Sequence, residues 1–176
     1  MGFSALRVIN DDRVAPGAGF DTHGHKDMEI LSLVLSGQIA HKDSAGNTEV
    51  LPAGEFQLMS AGRGIYHSEF NASQTDELKF LQIWIQPNQL DGAPSYQQKD
   101  FGNAPGLTWV ITPDGRDGTL QIKQDAALAQ LLLSEHDILE LPVTAGKAYY
   151  LHLISGELTL GEQQLYPGDG IKLAAI

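Results

Sequence analysis

A chain of 176 residues, 42% of them hydrophobic, can bury a real core, and its length allows one large domain or two small ones. It has no cysteine, which excludes disulfides and thiolate metal sites, so a transition metal would have to be held by imidazole and carboxylate. A formal charge of −11 argues against direct nucleic-acid binding, because the sequence-independent part of that affinity comes from Lys and Arg displacing counterions.

The first residues, MGFSALRVIND, lack the basic start and apolar centre of a signal peptide, and no apolar run is long enough to span a bilayer. A cytoplasmic protein without membrane association is expected. Short apolar runs then recur along the chain: SALRVI, EILSLVLSG, EVLPAGEFQLMS, LKFLQIWIQP, LTWVIT, LQIKQ, DILELPV, AYYLHLISG and LTLGEQQLYPG, with most of the 19 glycines between them. Runs of this length, rich in Val, Ile, Leu and Tyr and bounded by turn residues, predict an all-β protein of antiparallel sandwich or barrel type. Residues 125–135, DAALAQLLLSE, read differently. Ala and Leu occur there at helical density with Asp125 available as N-cap, which predicts a helix unless strand pairing overrides it.

A weak internal repeat is visible. Leu35-Ser36-Gly37-Gln38-Ile39 followed by Leu51-Pro52-Ala53-Gly54-Glu55 is echoed by Ile154-Ser155-Gly156-Glu157-Leu158 followed by Leu165-Tyr166-Pro167-Gly168-Asp169. Two related β-barrels in tandem account for it, over residues 1–90 and 106–176, joined by a turn-rich linker at 91–105.

The chemistry is concentrated in the first half. Pro16-Gly17 leads to His23-Gly24-His25, then Glu29 and Gly37, and a second block runs from Gly54 through Gly62 to His67-Ser68-Glu69 and Asn71. Side chains two apart on a strand share a face, so His23 with His25, and His67 with Glu69, could project together into a barrel. Three imidazoles and a carboxylate suit Fe, Mn, Co, Ni, Cu or Zn. His41, ahead of the hairpin DSAGN, and His136, beside Glu135 and Asp137, read as solvated surface residues. His152 reads as structural, because the position two beyond it is Ile154.

These residues carry a family resemblance. The run His23 to Asn71, and AGRGIYHSE within it above all, resembles the metal-binding half of the pirin family, particularly its bacterial members with quercetinase activity. The resemblance implies two tandem barrels of the cupin (jelly-roll) superfamily, the second degenerate and incomplete. It implies one divalent metal, iron first among the candidates, held by His23, His25, His67 and Glu69. Glu69 would be both fourth ligand and catalytic group. Glu29 then becomes a candidate to orient a ligand imidazole, with an ion pair to Lys26 or Lys42 at the rim as the other reading. Arg63 becomes a candidate contact for an anionic substrate, or else a solvent-facing loop residue. Phe20, Met28, Phe56, Met59 and Tyr66 could line an aromatic-ligand site or simply fill a core. Compared with the family, both ends of the chain look short, which would leave sheet edges open to self-association. The activity implied is metal-dependent oxidative ring opening of a flavonol such as quercetin by O₂. The rival expectation is a non-enzymatic metal-binding regulatory protein that docks a protein partner.

Overall fold

The computed structural model describes residues 2–141 and 143–174, and among these it contains β-strands, one short 3-10 turn and no α-helix. No helix among them is long and apolar enough to cross a membrane. Contacts divide the chain into two compact units, one from Ser4 to Glu135 and the other from His136 onward.

In the first unit the chain forms β1 (Leu6–Val14), β2 (Gly19–His25), β3 (Glu29–Ser36), β4 (Gln38–Asp43), β5 (Thr48–Pro52), β6 (Glu55–Ser60), β7 (Ile65–Asn71), β8 (Leu78–Ile85) and β9 (Ser95–Asp100). They build two sheets, ordered β1-β8-β3-β6-β9 and β2-β7-β4-β5, with every pairing antiparallel. The chain crosses repeatedly between the two sheets, the arrangement expected of a jelly-roll barrel.

The two-residue period of the strands divides the apolar residues between two cores. Ile30 of β3 packs with Met59, Ala61 and Ile65, and Val34 packs with Val14, Ile39, Leu51, Leu78 and Phe80, inside the barrel. Leu31 belongs to a different cluster, with Phe56, Leu58, Val110, Ile111, Leu120 and Ile122. The outer face of the five-stranded sheet is therefore covered by the next segment of the chain: β10 (Gly106–Thr112), β11 (Leu120–Gln121) and β12 (Leu128–Leu132), a three-stranded sheet ordered β11-β10-β12.

Two local expectations change here. The stretch expected to be helical carries β12, antiparallel to β10, and its Leu128 packs partly buried against the outer cluster. Strand pairing and burial outweigh a propensity difference of a few tenths of a kcal/mol per residue. The stretch expected to be linker carries β9, which pairs with β6 from Ser60↔Ser95 to Glu55↔Asp100. By compactness alone the first unit extends to Glu135.

The second unit is smaller. It holds β13 (Ala148–His152), β14 (Leu158–Leu160), β15 (Gln163–Leu165) and β16 (Gly170–Ala174), with β13 paired to β16 and β14 to β15. In the first unit β3 pairs with β6 and β4 with β5, so the sequence repeat corresponds to a repeated four-strand motif. The turns match as well. Gly37 and Gly156 have φ of 83° and 79°, and Gly54 and Gly168 have φ of 91° and 92°, in a region that glycine enters without steric penalty.

The covered outer face generates a test of the boundary. A chain ending at residue 105 would strip the cover from Leu31 and Leu58, each worth about 1.5–3 kcal/mol when fully buried. It should lose cooperative unfolding or aggregate, whereas a chain ending at residue 135 should unfold in one transition by circular dichroism. The reverse result would restore the boundary near residue 105.

Candidate metal centre

β7 is paired on both sides, with β2 and with β4, and its inward positions are Ile65, His67, Glu69 and Asn71, all buried. Cross-strand register sets what stands beside them. His23 of β2 lies opposite His67, and Phe20 lies opposite Glu69. Two residues of β2, Asp21 and Thr22, therefore stand against one of β7, Ser68, a β-bulge that turns Phe20 and His23 to the same face. On the other side Asp43 lies opposite His67 and His41 opposite Glu69.

The loop into β7 is held rigidly. Asp27 N–H donates to the Gly62 carbonyl and Arg63 N–H to the Gly92 carbonyl, each at 2.8 Å. Gly62 has φ of 48°, and a Cβ there would collide with the backbone of Gly92.

Three imidazoles converge from β2 and β7. His67 Nε2 lies 3.0 Å from His25 Nε2 and 3.0 Å from His23 Nε2. Ligands about 2.1 Å from a common centre and at right angles to one another would be about 3.0 Å apart. Each of the two separations from His67 Nε2 is thus that of cis positions around a six-coordinate ion, and the cluster could hold a metal. His23 is oriented through Nδ1, 2.7 Å from the Asp21 carbonyl oxygen, and Trp84 stands edge-on to His25 with centroids 5.2 Å apart. Burial, reinforced by the neighbouring imidazoles, lowers the pKa of His25 to about 4 and that of His67 to about 3. Both rings are neutral at physiological pH, as ligands must be.

Glu69 is buried beside this triad, grouped by distance with His67 and His41. Its Oε2 accepts from Gln82 Nε2 at 2.8 Å, and Oε1 has a long contact with Gln57 Nε2 at 3.5 Å. Trp84 Nε1 donates to Gln82 Oε1, and Tyr96 Oη to Gln57 Oε1, so each amide is turned with its NH₂ toward the carboxylate. Burial pushes the Glu69 carboxyl above the ordinary range, against the opposing pull of His41 and the two amides.

The other candidates separate clearly. Glu29 lies one position from Ile30, on the opposite face of β3 from the barrel interior, and accepts from Ser60 Oγ at 2.8 Å and from the Lys123 backbone N–H at 3.2 Å. Strand parity keeps it from the ligand imidazoles, and its partners are not Lys26 or Lys42; Lys26 pairs with Asp91 at 2.9 Å. Phe56 likewise faces the outer cluster. Arg63 lines an open cleft of about 530 Å³ with Gly24, His25, Lys26, Gly64, Ile65 and Tyr66. Asn71 serves structure, donating to the backbone carbonyls of Val14 and Asp76 and accepting from Ser73 N–H. His152 lies on β13 in the other unit.

His41, Gln57 and Gln82 escaped the sequence reading. His41 is not solvated. It is 1% exposed and its ring lies 4.8 Å from that of Tyr96, centroid to centroid. The signal was the alternation of Ile39, His41 and Asp43 with Gln38, Ala40 and Lys42, which places His41 on the same face as a core isoleucine.

Comparison with known proteins agrees with this fold. Residues 1–85 match the Pirin family and residues 109–176 match the quercetinase C-terminal cupin domain. The quercetin 2,3-dioxygenase of Escherichia coli K12 is 45% identical over 173 residues, covering 98% of this chain and 75% of that protein. The chain belongs to the pirin family. A pirin-like protein of Caulobacter vibrioides is 36% identical, over 97% of this chain and 75% of its own length. The crystal structure of the bacterial pirin YhhW from Escherichia coli in complex with nickel(II) superposes with a TM-score of 0.96 at 44% identity, covering 99% of this chain and 75% of that one.

Two outcomes test the centre. His23→Ala and His67→Ala should each abolish stoichiometric binding of a divalent transition metal, while His152→Ala keeps it; equal loss in all three would refute a single site. In the metal-free protein the His25 and His67 ring resonances should stay in their neutral positions from pH 7 to pH 5 and move only as pH falls toward about 4 and about 3. NMR titration reads this directly, and a midpoint near the ordinary 6.5 for either ring would contradict the buried, mutually repelling arrangement.

Proposed function

We propose that this pirin-family chain is a metal-dependent dioxygenase that opens the ring of flavonols such as quercetin with O₂, using His23, His25, His67 and Glu69 around one divalent transition metal. The convergence of three imidazoles, with His67 Nε2 3.0 Å from the Nε2 atoms of both His23 and His25, carries the reading, and the 45% identity to the Escherichia coli quercetin 2,3-dioxygenase supplies the substrate class. A six-coordinate set of nitrogen and oxygen ligands serves iron, manganese, cobalt and nickel. Iron remains the first expectation, and elemental analysis of protein purified without chelators identifies the ion.

When bound, such an ion would act as a Lewis acid on the substrate hydroxyl and offer coordination positions beyond those the protein fills. The remaining roles fall to the chain. Glu69 is the proton acceptor for the flavonol hydroxyl, and its raised pKa makes it a better base than an exposed carboxylate. Oε2 is committed to Gln82 while Oε1 has only the long contact with Gln57, so Oε1 is the atom with capacity for the metal or the proton. The cleft beside His25 is wide enough for one small aromatic molecule. Lys26 and Arg63, at its rim, offer cations to phenolate oxygens.

Glu69→Gln should reduce kcat for flavonol decay by about 100-fold or more, the usual size of a general-base contribution, while metal content stays within roughly twofold. Glu29→Gln, on the other face of β3, should change kcat by less than about threefold on that scale. Single-turnover decay under oxygen, normalised to bound metal, measures both. Absence of oxygen-dependent decay with Fe, Mn, Co, Ni and Cu loaded in turn would refute the dioxygenase reading.

A further inference from the structure

A metal-binding imidazole uses one nitrogen for the ion, and the N–H on the other nitrogen needs an acceptor. His23 has one in the Asp21 carbonyl. His67 does not: its Nδ1 is buried with no hydrogen-bond partner. With the Nε2 lone pair given to an ion between His23 and His25, the ring proton belongs on Nδ1. An orphaned donor of this kind costs about 1–3 kcal/mol in a protein interior.

A complementary orphan lies on the neighbouring strand. His41 Nε2 is 3.1 Å from Asp43 Oδ2. The Asp43 carboxylate also accepts from the backbone N–H groups of Ala45 and Asn47 and from Asn47 Nδ2. A carboxylate so placed only accepts, so the His41 proton sits on Nε2 and Nδ1 presents a lone pair. That Nδ1 is likewise buried and unpartnered. The rings of His41 and His67 lie 5.5 Å apart, centroid to centroid. One nitrogen of each and a carboxylate oxygen of Glu69 all fall within 4.8 Å of one another.

We propose that His41 is a positioning residue of the metal centre, and that with His67 and Glu69 it forms a site for one buried water molecule. The water accepts from His67 Nδ1–H and donates to His41 Nδ1 and to Glu69, and so satisfies both orphans at once. Hydrogen bonds of about 2.8 Å span such a group. A second cation would require His67 to lose its Nδ1 proton, with the first ion already on Nε2. The Asp43–His41–water chain thereby holds the ring plane of His67 and the carboxylate of Glu69 in register. This rests on His67 binding metal through Nε2, as in the function proposed above, but not on the dioxygenase reaction.

A crystal structure of the metal-loaded protein should show one peak without anomalous signal within about 3.2 Å of both His67 Nδ1 and His41 Nδ1. An anomalous peak there, or no peak, overturns the proposal. His41→Phe keeps a ring against Tyr96 but removes the acceptor. Its metal affinity, measured by competition with a chelator, should fall about 10–100-fold, and His41→Asn, whose amide oxygen can replace Nδ1, should recover part of the loss. Asp43→Asn should move the His41 proton to Nδ1, visible in ¹⁵N NMR, and lower affinity together with that change. Affinity within twofold of wild type in His41→Phe refutes the role of His41. Failure of the wild type itself to bind metal would instead refute the metal-site reading. Should the variants not fold, the wild-type crystal structure decides alone.

Discussion

The centre depends on the pairing of β7 with β2 on one side and β4 on the other. That pairing fixes two rows across the sheet, His23–His67–Asp43 and Phe20–Glu69–His41, and it brings His23, His67, Glu69 and His41 close together. The two rows do not coexist on one face without the bulge in β2. With regular pairing, Phe20 and His23 would point to opposite faces, because successive side chains alternate with a strict period of two. One extra residue at Asp21–Thr22 lets an aromatic and an imidazole share a face, and it also presents the Asp21 carbonyl to His23.

Such an interior is expensive to maintain. His67, Glu69, His41, Asp43, Gln57 and Gln82 are all buried, where unpaired polar groups are disfavoured by several kcal/mol. The molecule answers with paired amides around Glu69, themselves aligned by Trp84 and Tyr96, and with the turn 43–47 closing around Asp43. Apolar cover is supplied on two sides, by the barrel's own clusters and by β10–β12 over the outer face. The extensive packing between the sheets holds a close group of neutral imidazoles in place.

Much of this was legible in the sequence. The all-β class followed from short runs between glycines, and the grouping of His23, His25 and His67 with Glu69 buried beside them was expected from two-residue spacing combined with family resemblance. The readings that failed did so for identifiable reasons. Residues 125–135 have helical propensity, but β10 offered an unpaired edge and the outer face needed cover, and neither fact is local to that segment. Glu29 falls at a plausible distance from His25 in sequence, yet it begins a new strand in the other sheet, so counting along one strand could not place it. His41 was missed because its proximity to a hairpin received more weight than its alternation with Ile39.

The repeated four-strand motif separates two kinds of constraint. Both copies retain glycines with positive φ at corresponding turns, and both pair outer strand with outer and inner with inner. Only the first copy lies within the imidazole-bearing barrel; the second has Ile154 two residues beyond its single histidine. Backbone handedness at the turns is thus a requirement of the architecture itself, whereas the cluster of imidazoles is an addition that one copy can lack. A duplicated motif of this kind could diverge freely in its chemistry for as long as its turns were left alone.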